Sequence, residues 1–179
     1  MNPLVHSLCQ NSFIGPILFI GTACAFPPLF SDAPLALDRK DARVIRAFVA
    51  PVDTAYTFYF AFKFPSQAAY RQDAFAGTFD GRYCGRDAAI VRDEAKPSLG
   101  RPVSVQVTIR EQANGRIVAD RRFETLCTTS HDPSTLVHYR DIGTVRLDAG
   151  HYVAEIRNVD AHAGLDANVT VGLGPAAGK

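Results

Sequence analysis

Three places in this 179-residue chain bring chemically capable side chains together. Ser130-His131-Asp132 puts nucleophile, base and orienter types in one tripeptide. A hydrolytic triad gathers such groups from different elements, because successive side chains diverge and cannot hydrogen-bond in series. With Pro133-Ser134 following, the tripeptide reads as a turn start, and no G-x-S-x-G elbow occurs elsewhere. Asp160, His162 and Asp166 offer oxygen and imidazole ligands that suit a divalent cation. Their spacing matches no calcium loop, so an acidic inter-strand loop is expected, without metal or other cofactor.

The third place is longer. Asp73, Asp80, Asp87, Asp93 and Glu94 interleave with Arg71, Arg82, Arg86 and Arg92, punctuated by Tyr70, Phe75, Phe79 and Tyr83. A solvated loop of mixed charge is the ordinary reading. Aromatic and arginine side chains together are also what carry protein-binding hot spots. Tyr70, Phe79, Arg82, Tyr83 and Arg86 are therefore the candidate partner-binding residues. The carboxylates leave a hydrolase or carbohydrate-active enzyme as the alternative, but no catalytic residue can be assigned.

Lys and Arg number 19 against 18 Asp and Glu, a net charge of +1. A nucleic-acid binder needs a clustered basic excess, so that class is excluded. At 47% hydrophobic residues the chain can bury enough apolar surface to fold, which excludes disorder.

The amino-terminal segment reads as an address. No Asp, Glu, Lys or Arg occurs before Asp32, and Phe13 to Phe30 is nearly all apolar, interrupted by Gly15, Pro16 and Gly21. Its continuous run falls short of the roughly 20 residues of a membrane span and suits a secretory signal peptide. Ala23-Cys24-Ala25 fits the A-x-A cleavage pattern. Gly21-Thr22-Ala23-Cys24 equally resembles the lipobox of bacterial lipoproteins, in which Cys24 would be acylated, although Gly21 stands where Leu, Ile or Val is usual. Export to the periplasm or to a membrane anchor is expected under either reading, an uncleaved anchor or a misassigned start being the remaining alternative. Cys84 and Cys127 are then an even pair in an oxidising space and are expected to form a disulfide, two separate buried thiols being the alternative.

What must position these groups is a set of β-strands. Tyr56, Phe58, Phe60, Phe62 and Phe64 alternate with Thr57, Tyr59, Ala61 and Lys63, a period-two pattern predicting a strand with one buried face. Val103 to Ile109 alternates likewise, and Asn114-Gly115 supplies a hairpin turn before a partner strand over 116–123. Further strands are predicted at Val44 to Ala50, from Leu136 or Ile142 to Leu147, from His151 to Val159 and from Asn168 to Leu173. One helix, capped by Ser66 and stopped by Gly77, is expected up to about Ala76. No βαβ alternation occurs. The expectation is an all-β, antiparallel immunoglobulin-like β-sandwich with one short helix and a long loop. Tyr152, just past the Asp148-Ala149-Gly150 turn, is placed as a tyrosine corner would be. The predicted layout is a signal over 1–25, a linker over 26–42, the sandwich over 43–174 and a tail over 175–179.

The aromatic strand from Tyr56 to Phe64, the strand opening at Pro102-Val103 and Leu147-x-x-Gly150-x-Tyr152 resemble a family of uncharacterised bacterial exported domains, often lipoproteins. The resemblance spans about Val44 to Leu173 and implies a sandwich fold and an envelope location, with no site residues. Function is accordingly expected to be non-enzymatic binding in the envelope. The partner would be a protein or envelope component and not nucleic acid. A periplasmic immunity protein neutralising a delivered toxin is one concrete form, and a membrane tether through Cys24 is a second feature of that reading.

Overall fold

The aromatic run becomes the central strand of one sheet. The computed structural model describes residues 27–78 and 99–176. Within them lie β1 (Phe30–Pro34), β2 (Arg43–Ala50), β3 (Thr54–Lys63), α1 (Gln67–Gln72), β4 (Val103–Glu111), β5 (Ile117–Thr125), β6 (Ser130–Asp132), β7 (Val137–Leu147), β8 (Gly150–Asn158) and β9 (Asn168–Pro175). They form two antiparallel sheets, β1-β9-β3-β7-β6 and β2-β8-β4-β5, so the all-β sandwich expectation holds.

Period-two patterning explains the packing. Tyr56, Phe58, Phe60, Phe62 and Phe64 are all buried, facing Val103, Val105, Val107 and Ile109 of β4 and Ala154 and Ile156 of β8. Each buried aromatic contributes roughly 1.5–3 kcal/mol, which makes this stripe the main stabilising element of the core. Phe60 and Phe62 pack tilted at 5.6 Å, and Phe62 meets Phe75 at 6.0 Å.

Two tyrosines pin the start of their strands. Tyr152 donates its hydroxyl proton to the Asp148 carbonyl at 3.0 Å, closing the predicted corner. Tyr56 does the same to the Val52 carbonyl at 2.9 Å, a corner not anticipated because Tyr56 reads simply as one rung of the aromatic ladder. Tyr152→Phe should cost about 1 kcal/mol in urea unfolding, the net worth of one such bond; an unchanged midpoint would remove the corner's role.

Three expectations need correction. The stretch predicted as a linker over 26–42 is, in its described part 27–42, packed into the domain: β1 pairs with β9, Ala33, Leu35 and Leu37 are buried, and Asn158 donates from Nδ2 to the Leu37 and Arg39 carbonyls. The sandwich therefore begins near Phe30. Buried Asn158 is the reason, since it anchors a stretch whose own sequence lacks strand periodicity. At the other end β9 runs to Pro175, so the predicted tail starts inside a strand. The helix stops at Gln72 rather than Ala76, because the Asp73 carboxylate takes the Phe75 and Ala76 amides at 3.0 and 2.9 Å and turns the chain out of the helix.

The strand directions give the sandwich two ends. β1 begins, β3 begins and β9 finishes at one end; β3 finishes beside Val137 and Asn168 at the other, where α1 and the start of β4 also lie.

Candidate functional site

At that second end the chain folds around one buried cation. Arg140 lies on β7, pairs with Phe60 across β3, and is fully buried. Its Nη1 donates to the Arg101 carbonyl at 2.8 Å. Its Nη2 donates to the Phe75 and Ala76 carbonyls at 2.6 and 2.5 Å. The guanidinium also lies 5.4 Å from the Phe62 ring centre and 6.0 Å from that of Phe75, within cation–π range. Burial lowers the Arg140 pKa to about 9, with the charge of Asp73 pulling the other way, so the group is a cation at neutral pH.

These partners have a common property. Phe75 and Ala76 precede the segment 79–98, and Arg101 follows it. Arg140 thus holds the two flanks of that segment together, and the Arg101 amide reinforces the junction by donating to the Phe75 carbonyl at 3.0 Å. Thr128 adds a second clasp, its buried hydroxyl lying 3.0 and 2.9 Å from the Ala76 and Gly77 carbonyls. The flanks approach so closely that only glycine fits: a Cβ on Gly77, whose φ is +78°, would lie 1.8 Å from the Leu99 carbonyl oxygen.

Asp73 grips the same two residues from the amide side. Its side chain is 4% exposed, and His138 places Nδ1 3.5 Å from Oδ2. Burial alone would raise the Asp73 pKa, but His138 and the two amide donors outweigh it and hold the carboxyl below its ordinary value. A depressed carboxylate pKa adds stability that is complete above the unfolded-state pKa and is lost as pH falls through the folded value. Asp73→Asn should cost about 2 kcal/mol at pH 7, a capping interaction plus the His138 contact. It should also flatten the stability profile below about pH 4. An unchanged acid limb in the variant would show that Asp73 carries no such linkage.

Around this clamp lies an aromatic rim. The Tyr70 ring on α1 sits 4.4 Å from His138, Phe64 sits 5.2 Å from it, and His131 of β6 sits 6.4 Å away. On the other side, the His162 ring packs edge-on against Phe75 at 5.6 Å. Burial pushes the His162 pKa down; Asp160 opposes that, and the charges of Arg101 and Arg140 add to it.

Of the candidate partner-binding residues, the structure places Tyr70 on this rim; Phe79, Arg82, Tyr83 and Arg86 lie outside the described residues, as do Cys84 and Cys24. Cys127 is buried beside Thr128. The Ser130-His131-Asp132 tripeptide forms the short strand β6 paired with β7, and the turn expected there begins only at Pro133. Asp132 accepts from the Ser134 amide and hydroxyl and from the Thr135 hydroxyl at 2.9, 2.6 and 2.8 Å, which lowers its pKa to about 2. Asp160 and His162 do not converge: Asp160 faces Arg122 at 3.9 Å, while the His162 amide donates to the Leu37 carbonyl. Among the described residues no group of three or more His, Cys, Asp or Glu could hold a metal. Arg140, Thr128 and His138 were not foreseen as parts of a site.

No curated protein matches the chain. A crystal structure of a protein from Sulfurospirillum deleyianum superposes with a TM-score of 0.63 at 20% identity, covering 82% of this chain and 96% of that one. At that identity the likeness shows the fold alone. An isomalto-dextranase of Arthrobacter globiformis T6, complexed with panose, aligns at a TM-score of 0.38 and 18% identity over 80% of this chain and 18% of that one. That score carries no argument. The model of one family, a domain of unknown function (DUF5625), matches residues 32–174, and the chain belongs to that family.

Proposed function

We propose that this chain is an exported, non-enzymatic binding module of the bacterial cell envelope. Its recognition surface is the segment from Tyr70 to Arg92, with Tyr70, Phe79, Arg82, Tyr83 and Arg86 as its contacts. The single observation that carries the reading is Arg140: a fully buried cation whose three carbonyl partners lie on both flanks of that segment. Fixing the ends of a long connection lowers the ordering cost that binding must overcome. Those flanks lie at the end of the sandwich away from Pro27. Among the described residues, Asp73 spends both carboxylate oxygens on backbone amides, which supports a structural role for that carboxylate.

The charge-free leader before Asp32 supports export, as a signal peptide or a lipoprotein signal acylated on Cys24, to the periplasm or to a membrane anchor there. An oxidising destination in turn supports a Cys84–Cys127 disulfide. A periplasmic immunity protein, which must seize one toxin tightly with a positioned loop, is the concrete form of this reading.

The test is capture from envelope extracts by the purified protein and by a Phe79→Ala/Tyr83→Ala/Arg86→Ala variant. Loss of two or three hot-spot side chains should weaken a specific partner by roughly 100-fold or more, with the thermal midpoint unchanged. Equal capture by both proteins would overturn the recognition role, and intact precursor in the cytosol would overturn export.

A further inference from the structure

The end of the sandwich away from the clamp carries an apolar hollow. It has a volume of about 360 Å³, and its lining includes Pro27, Pro28, Leu29, Val49, Val52 and Pro175, with no ionisable side chain other than the Tyr56 phenol. Val49 and Val52 are 51% and 40% exposed, two of the few large hydrophobic side chains that the described surface leaves in water. The neighbouring carboxylate, Asp53, is turned back onto the Ala149 amide at 2.5 Å. An apolar hollow free of charge at one end of a domain suits an apolar cover.

We propose that this end of the sandwich seats on a phospholipid bilayer. The inference rests on the reading of Cys24 as an acylated residue, and chain length makes the rest of the argument. Only Ala25 and Phe26 separate Cys24 from Pro27, so an acyl anchor on Cys24 holds Pro27 within about 10 Å of the membrane. That tether is too short for any other end of the domain to face the lipid. It matches the roughly 5–10 Å depth to which apolar side chains enter the headgroup boundary. The seated patch leaves the Arg140 clamp and the Tyr70 rim pointing away from the bilayer, into the space where a soluble partner moves.

The chain contains no tryptophan, so one introduced indole reports alone. The full chain, matured in its host, carries Val52→Trp, with Val49→Trp as a second reporter and exposed Ala161→Trp at the opposite end as the control. Each is reconstituted into phosphatidylcholine vesicles, plain or brominated in the acyl chains. Bromolipid should quench the indole emission of the Val52→Trp and Val49→Trp proteins at least about twofold and leave that of the Ala161→Trp protein unchanged, since indole settles at the lipid–water boundary. Intact mass of the same samples reads the state of Cys24. Acylated protein with unquenched indoles in both the Val52→Trp and Val49→Trp forms overturns the seating while leaving the anchor intact. Protein cleaved after Ala25 removes the anchor and overturns both. Equal quenching in the Val52→Trp and Ala161→Trp proteins shows non-specific adsorption and overturns the seating.

Discussion

Arg140→Ala should lower the unfolding free energy by about 4 kcal/mol or more, a large share of the roughly 5–15 kcal/mol that a domain has. Three backbone carbonyls each lose a bond from a charged donor, worth about 1.5–3 kcal/mol apiece, although Phe75 keeps the Arg101 amide and Ala76 keeps the Thr128 hydroxyl. The truncation also empties the space against Phe62 and Phe75 that the guanidinium fills. For a domain of this size the melting temperature should fall by roughly 10–15 °C. Arg140→Met separates the two causes, because it keeps volume and apolar contact while still removing the three charged hydrogen bonds; about 3 kcal/mol should remain lost. Chymotrypsin should meanwhile cut faster after Phe75, whose carbonyl accepts from both Arg140 and the Arg101 amide. A methionine variant as stable as the parent would show that the three carbonyls do not depend on Arg140. Since burial leaves Arg140 at about 9, the cation persists in both folded and unfolded chains at pH 6–8. The loss should therefore be flat across that range and grow only above about pH 9, where the parent sheds the buried proton and the variant has none to shed.

Why Arg140 was not legible as a site residue is a matter of register. Counting back in twos from buried Leu147 and Val145 assigns positions 143, 141 and 139 to the core and puts Arg140 outside. The pairing with β3 shifts between Phe58 and Tyr59: Phe58 opposes Gly143, Tyr59 opposes Asp141, and Ile142 is the extra residue. A bulge of this kind inverts the alternation on one side of itself, so Ile142 and Arg140 point inward. The period-two pattern holds without interruption on β3 from Tyr56 and on β4 from Val105 to Ile109, and there the buried face was readable residue by residue. β1 escaped because it is a short edge strand whose polar residues mask its single buried Ala33. The candidate loop was recognisable by composition, but its clamp is built from carbonyls of the chain itself. Backbone acceptors have no sequence signature, so the site could be located and not explained.

Breaking the bridge proposed between Cys84 and Cys127 should cost about 4 kcal/mol, the chain-entropy value for closing a loop of roughly 43 residues. A reason to expect contact lies in Thr128, which holds the Ala76 and Gly77 carbonyls and so brings the chain that leads toward Cys84 past buried Cys127. The bridge would tie to β-sheet the same segment whose flanks Arg140 joins. Cys84→Ser and dithiothreitol treatment of the parent should therefore give equal losses in urea unfolding, and dithiothreitol should do nothing further to the variant. Cys127→Ser should lose somewhat more, because its buried site also receives an extra hydroxyl. Arg140→Met and Cys84→Ser act on one loop and should not add: with the bridge gone, the clamp carries the whole closure, and the double variant should fall further than the two losses combined. A thiol at Cys84 that alkylates in the untreated exported protein, or a parent unmoved by reductant, would leave the two cysteines unlinked and the clamp as the loop's closure without them.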